Sequence, residues 1–304
     1  MTPKIKNFFA ILKTTAIRWW ERDPFKESAV IAYYAIFALP GLLVVIITLA
    51  GYFFGEEAVH GQISGQITAV MGADTALQIQ DIIAKATQSR NSVWATIIGI
   101  TTILVGATGV FVEFQKSLNN IWNVQATVAK SGILSYLKTR LFSFGIIIAI
   151  AFILIISLVI SAGLAAFGNW ITQYFSTAFL IVLQVLNFMV SLGILSVLFA
   201  GMFKLFPDAQ IKWKHVWIGS FVTALLFETG KFALGLYFGQ ANPGSGYGAA
   251  GSIILILLWA SYSSMIVFFG AEFTHTYAEK TDAKVPADEH GVKVVEVKIK
   301  VEDE

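Results

Sequence analysis

Six long apolar runs limit what this chain can fold into more than any other feature. They cover roughly 31–54, 93–112, 141–167, 178–203, 216–238 and 248–271. At about 1.5 Å of rise per residue, each reaches or exceeds a hydrocarbon core of roughly 30 Å. Backbone in lipid must satisfy its own hydrogen bonds, so continuous runs of this length predict spanning helices. A barrel would need short alternating segments instead. Composition agrees: 56% of the 304 residues are hydrophobic and 13% are charged, against a charged share of roughly 25% in soluble domains. A soluble globule could not cover that much apolar surface, so an ordinary soluble enzyme, a disordered chain and a nucleic-acid binder are excluded.

Charge sets the orientation. Lys and Arg number six in residues 1–30, four in 113–140, three in 204–215 and five from 272 onward. The intervening loops hold two in 55–92 and none in 168–177 or 239–247. The positive-inside rule therefore predicts both termini in the cytoplasm. The fold class expected is an all-α integral membrane protein with six transmembrane helices, an N-terminal interfacial amphipathic helix and cytoplasmic termini. Its parts are an interfacial helix over 1–22, a transmembrane domain over 23–278 and a charged tail over 279–304. The 55–92 loop reads as two short amphipathic helices forming an extracytoplasmic cap. No secretory signal pattern is expected at the N-terminus, where the apolar run Phe8–Leu12 is too short.

On a helical wheel Ile5, Phe8, Phe9, Leu12, Ala16, Trp19 and Trp20 share one face of the N-terminal segment, with Lys4, Lys6, Lys13 and Arg18 on its sides and back. That pattern suits a helix lying in the inner interface, cations toward anionic lipid. The competing reading is an ordinary helix packed on the bundle. Asp23-Pro24 should end it. In the tail, Val295, Val297, Ile299 and Val301 alternate with charged residues at a strand period. The tail is expected either to move freely or to pair as a strand with a partner.

Enzymatic motifs are lacking. His60, His215, His275 and His290 show no metal-ligand spacing, there are no cysteines, and no nucleotide-binding or nucleophile-elbow fingerprint occurs. The expectation is a protein that is not an enzyme, has no cofactor and no metal, and works with membrane lipids. A second copy or an envelope protein is a further expected partner, and nucleic acid is not.

Polarity inside the spans is the remaining signal. Glu228 and Lys231 lie three apart in the fifth run, where a charge costs roughly 2.5–3.5 kcal/mol on insertion scales, so they should pair. Gln184, Asn187 and Ser191 make one stripe on the fourth run at i, i+3, i+7. The two sets lie at matching depths, which predicts a substrate or ion path lined by all five. The competing readings are an ion pair that only fixes packing and hydrogen bonds that only join helices. Pro40-Gly41 should kink the first span. Glu113 and Glu272 end spans on the cytoplasmic side, where solvation is expected. Gly51/Gly55 and Gly235/Gly239 have G-x-x-x-G spacing, a weak packing signal.

Several stretches together resemble a known family. Ala32-Tyr33-Tyr34-Ala35-Ile36-Phe37-Ala38-Leu39-Pro40 is similar to the first-span signature of the YihY/BrkB family of bacterial inner-membrane proteins, once labelled ribonuclease BN. Further matches are Leu118-Asn119-Asn120-Ile121-Trp122-Asn123-Val124, Leu205-Phe206-Pro207-Asp208, Lys231 through Tyr237, Tyr247-Gly248 through Ser252, and Gly270-Ala271-Glu272-Phe273. The resemblance covers roughly 20–278 and is specific in the order of its motifs rather than in any one. It implies six helices, cytoplasmic termini and a role in the bacterial envelope: lipid or solute transport, sodium/proton exchange or serum resistance. Lys231 falls within a matching motif and Glu228 does not. Gly41 stands where many relatives carry a second proline, which implies a milder kink. The chain supplies no nuclease residues. The expected function is movement of a lipid or small solute across the bilayer, with a membrane scaffold for envelope assembly or virulence as the alternative.

Overall fold

A computed structural model describes residues 3–38, 93–126, 177–241, 245–281 and 291–293, with short pieces at 61, 64–65, 68, 76–77, 79–80, 243 and 286. The expected third span, Pro40 and the predicted strand at 295–301 lie outside the described residues, as does most of the expected cap.

The first helix stops where its sequence stops it. α1 (Pro3–Glu21) closes with Arg22 N donating to Trp19 O and Asp23 N to Trp20 O, both at 3.3 Å. Asp23 takes a φ of 51°, a left-handed conformation that Asp tolerates better than most residues. Pro24 then begins α2 (24–38) at the first helical position, where its missing N–H is no loss. α3 (Val93–Trp122) runs ten residues past the end expected for its apolar run. Asn123, with a φ of 52°, ends it in the left-handed cap that Asn can adopt.

The chain then forms β1 (Val124–Ala126), which pairs antiparallel with β2 (Gly291–Lys293) in the register Val124↔Lys293, Gln125↔Val292, Ala126↔Gly291. This part of the tail is therefore bound to its own chain.

α4 (Thr177–Leu205), α5 (Trp213–Ala241) and α6 (Gly251–Thr281, preceded by a 3-10 turn at Ser245–Ala250) are apolar all round. A helix of that kind belongs in a core or a membrane. Among the described residues, three segments are long and apolar enough to cross a bilayer: Val185–Leu205, Trp213–Ala241 and Ile253–Thr281. Phe188 and Met189 on α4 and Phe221, Leu225 and Phe232 on α5 remain exposed. Such a surface suits lipid or further helices better than water.

α5 and α6 lie antiparallel along a seam of small residues. A methyl group added at Gly219 would overlap Thr274, and one added at Gly270 would overlap Thr223. Each threonine hydroxyl donates to the carbonyl four residues back on its own helix, Thr223 to Gly219 O and Thr274 to Gly270 O, both at 2.7 Å. The backbones can therefore approach closely without leaving a hydroxyl unsatisfied.

An aromatic cluster joins α3, the end of α4 and the middle of α6. Phe206 meets Phe111 at a centroid distance of 4.7 Å and Phe114 at 5.7 Å, and Phe114 meets Phe268 at 5.3 Å. The α4–α5 turn is locked to the end of α3. Asn119 Nδ2 donates to Asp208 Oδ2 at 2.7 Å, and Asp208 N donates back to Asn119 Oδ1 at 2.8 Å. Lys204 Nζ adds a 2.7 Å bond to Ile211 O across the same turn.

α1 packs against α6. Among the described side chains of α1, Ile11 and Thr15 are buried. Phe8 packs on Phe273 and Trp19 on Phe269, while the Trp19 indole donates to Met265 O at 3.2 Å. Arg18 turns toward α6 and forms an ion pair with Glu279 at 2.7 Å. Phe9, Ile17 and Trp20 stay exposed. The helix is thus clamped to α6 on one face and apolar on another.

Candidate functional site

Two polar clusters stand out, one within the apolar helices and one at their end. In the first, Glu228 on α5 is only 9% exposed. Its Oε2 lies 2.6 Å from Lys231 Nζ, one helical turn on. Ser191 Oγ on α4 donates to Glu228 Oε1 at 2.6 Å. Both carboxylate oxygens are therefore engaged, as a charge removed from water requires. On α6, the Tyr262 hydroxyl packs against Gly230, at the same level of α5 as the pair.

The structure brings together three of the five residues expected to line a path. Asn187 is exposed one turn before Ser191, and no hydrogen bond joins it to the pair. Gln184 lies on α4, but its side chain is outside the described residues, as is Pro40. Tyr262 was not singled out in the sequence; only its place opposite a glycine on the neighbouring helix marks it.

The second cluster overturns an expectation. Glu272, expected to be solvated, is fully buried, because α1 folds back over it. Arg22 Nε donates to Glu272 Oε2 at 3.0 Å. The same guanidinium donates to Asn120 O at 2.6 Å, Ile121 O at 3.5 Å and Asn123 Oδ1 at 3.3 Å. It thereby satisfies carbonyls left open at the end of α3. Glu113, the other carboxylate expected in solvent, is partly buried and pairs with Lys116 at 3.2 Å.

His275 lies buried one turn beyond Glu272, its ring 4.9 Å from that of Trp122. Its Nδ1 is 3.6 Å from Glu272 Oε1 and its Nε2 is 3.3 Å from Glu279 Oε1. The signal for this cluster was present in the spacing. Glu272, His275 and Glu279 repeat at i, i+3, i+7, and Arg18 and Arg22 at i, i+4, so each set lines one helix face. Among the described residues, no group of three or more His, Asp or Glu side chains could hold a metal ion.

Beside Glu272 lies an open cavity of about 350 Å³. Trp19, Arg22, Glu27, Asn123, Phe268 and Glu272 form much of its wall. Ser117 Oγ donates to Glu27 Oε2 in its wall. Asn120, Ile121, Asn123, Val124 and Glu272, from two of the motifs quoted above, meet here, and a third motif joins them through the Asn119–Asp208 lock.

The family model described as "Virulence factor BrkB" matches residues 15–293. This chain belongs to the BrkB family. Relatives of this BrkB chain carry the name "UPF0761 membrane protein". The one from Pseudoalteromonas atlantica is 27% identical over 261 residues, covering 84% of this chain and 82% of the relative. The one from Saccharophagus degradans is 27% identical over 263 residues, 84% of this chain but 56% of the relative. A third, from Tolumonas auensis, is 28% identical over 192 residues, 62% of this chain and 60% of the relative. The BrkB chain thus spans most of the first relative and little more than half of the other two. No solved structure matches it. Family, names and apolar helices agree on a membrane protein.

Proposed function

We propose that this chain is a six-span protein of the bacterial inner membrane, with both termini in the cytoplasm, that moves a lipid or small solute across the bilayer. In this reading it performs no chemistry on its substrate and needs no cofactor. Glu228, Lys231 and Ser191 form the polar centre of the path, Gln184 and Asn187 extend it along α4, and Pro40 shapes a flexible first span.

The observation that carries the reading is the Glu228 carboxylate, held at 9% exposure inside an apolar helix by two partners from two helices. Ionisable groups within membrane segments are expensive to keep and commonly mark substrate or ion pathways. Lys231 remains 37% exposed, so the chain does not fully enclose the pair.

The test is flux in proteoliposomes. Fluorescent phospholipid translocation and sodium- or proton-driven solute uptake are compared for the native chain, Glu228→Gln and Lys231→Met. Each substitution is expected to lower one of these fluxes at least tenfold while the melting temperature holds. Native flux in both variants would refute the path. The scaffold alternative would use the tail as a docking surface, and β2 already engages β1 of the same chain.

A further inference from the structure

The charged cluster at the end of α6 closes on itself. His275 Nε2 lies 3.3 Å from Glu279 Oε1, and Glu279 Oε2 takes the Arg18 guanidinium at 2.7 Å. Arg18 Nη1 stands 4.0 Å from Glu272 Oε1, and that oxygen stands 3.6 Å from His275 Nδ1. The circuit therefore runs from His275 through Glu272, Arg18 and Glu279 and back. α6 supplies three members and α1 the fourth. Arg22, the second arginine of α1, holds the remaining Glu272 oxygen at 3.0 Å.

A neutral imidazole has one N–H and one bare nitrogen. With the proton on Nε2, the ring donates to Glu279 and turns a lone pair toward Glu272 Oε1. With the proton on Nδ1, the lone pair faces Glu279 Oε1 instead. Either tautomer sets two acceptors against each other, and only the imidazolium offers a proton to both carboxylates. Glu272 Oε1 and His275 Nδ1 are buried without a hydrogen-bond partner among the described residues, so a missing proton there is costly. Arg18 and Arg22, facing the cluster from α1, oppose a further positive charge. Trp122 of α3 packs on the ring at 4.9 Å and is uncharged, while His215 of α5 packs on Tyr277 at 5.6 Å. Burial disfavours the charged ring, but the hydrogen bonds and charges of Glu272 and Glu279 outweigh it. His275, which lies past the apolar run ending at 271, therefore titrates above the ordinary histidine range.

We propose that His275 is a proton-operated latch that holds α1 on α6. Protonated, it completes an alternation of charge in which Arg18 is the member from α1. Once the proton leaves, one carboxylate must turn from the bare nitrogen, and Glu272 and Glu279 are the groups that hold Arg22 and Arg18. With α1 away, water can hydrate either ring nitrogen, so the proton is needed only in the docked form. Docking raises the ring's affinity for its proton, and the proton in turn favours docking. The contribution is complete below the ordinary histidine range and is lost as pH rises through the higher value of His275. The seating of α1, with its exposed Phe9, Ile17 and Trp20, thus responds to pH at the end of the bundle where the charge count predicts cytoplasm.

The experiment follows amide exchange of the full chain in nanodiscs from about pH 6 to about pH 9, a window that spans the histidine range. Protection factors, which divide out the intrinsic rise of exchange with pH, are read for 8–21 in α1, with 216–224 in α5 as the internal reference. In the native chain the protection of α1 relative to the reference should fall about fivefold or more along a one-proton curve. His275→Gln should give low protection at every pH and no such curve. That variant keeps His215, so it also separates the two histidines. Glu279→Gln, at a side chain 40% exposed, should move the curve to lower pH and serves if His275→Gln fails to fold. Glu228→Gln should keep the native curve, so failure of the transport reading and failure of this one are distinguishable. The latch is overturned if native protection is flat across the window or rises with pH, or if His275→Gln or Glu279→Gln titrates like the native chain.

Discussion

Gly219 and Gly270 show how much a single residue can decide in a chain this apolar. Between two oily helices in lipid there is little hydrophobic drive to associate, so close packing must hold them. Thr274 occupies the space a side chain at Gly219 would need, and Thr223 does the same at Gly270. Gly219→Ala should therefore push α5 and α6 apart and cost about 1–3 kcal/mol, the usual range for overpacking. The check is thermal unfolding in detergent of the single variant and of Gly219→Ala/Thr274→Ala. The double variant should regain most of the loss, because it removes the obstructing hydroxyl. An equal loss in both would place the cost in helix α5 itself rather than at the seam. By contrast Gly239, in the G-x-x-x-G spacing noted in the sequence, has open space around it. Spacing alone could not say which glycines face a neighbour. The seam is a G-x-x-x-T pattern on each helix, and it makes sense only once the two helices are set side by side.

At the scale of elements, α1 and α6 depend on each other through charge. Glu272 is fully buried and Arg22 closes it off, while Arg18 bridges to Glu279. Truncating Arg22 to Ala strands a buried carboxylate and frees the end of α3, a change that typically costs about 3–5 kcal/mol. Arg22 is itself 30% exposed, so water reaching the gap should keep the loss near the lower end. The expected outcome is release of α1, read as faster proteolysis around Arg18 and faster amide exchange in 8–21. If α1 stays protected, the aromatic contacts of Phe8 and Trp19 are sufficient without the ion pairs. These elements also show what a sequence can and cannot reveal. The fourth and fifth runs, read as 178–203 and 216–238, lie within three residues of Thr177–Leu205 and Trp213–Ala241, because length and hydropathy are local properties, while the sixth, read as 248–271, continues ten residues further to Thr281. The polar stripe on α4 was legible, but the depth match along the axis paired Asn187 with Glu228, and the contact that forms comes from Ser191, one turn further on. The burial of Glu272 was not legible. It depends on a residue 250 positions away returning to the same place, and an acid just past an apolar run looks solvated until that return is known.

On the scale of the whole molecule, helix length and charge lead to one geometric claim. α4 and α5 have 29 residues each and α6 has 31. At about 1.5 Å per residue these exceed a core of roughly 30 Å by about two to three turns in all, so their ends stand outside the hydrocarbon. The polar and ionic contacts of Asn119, Asp208, Arg22 and Glu272 gather at one such end, where the charge count predicts cytoplasm. The absence of native cysteines makes the claim directly testable, since each introduced thiol reports alone. Gly65→Cys in the expected cap and Gln240→Cys at the far end of α5 should react with an impermeant maleimide on spheroplasts. Lys4→Cys, Lys212→Cys and Lys298→Cys should react only after the membrane is opened. The decisive comparison is Lys212 with Gln240, because α5 lies between them. Labelling of both from one side would mean that α5 does not cross. Glu228 would then lie in no bilayer, and its pairing with Lys231 and Ser191 would be an ordinary packing contact. Labelling from opposite sides would put the buried carboxylate inside the membrane, where its cost calls for a use.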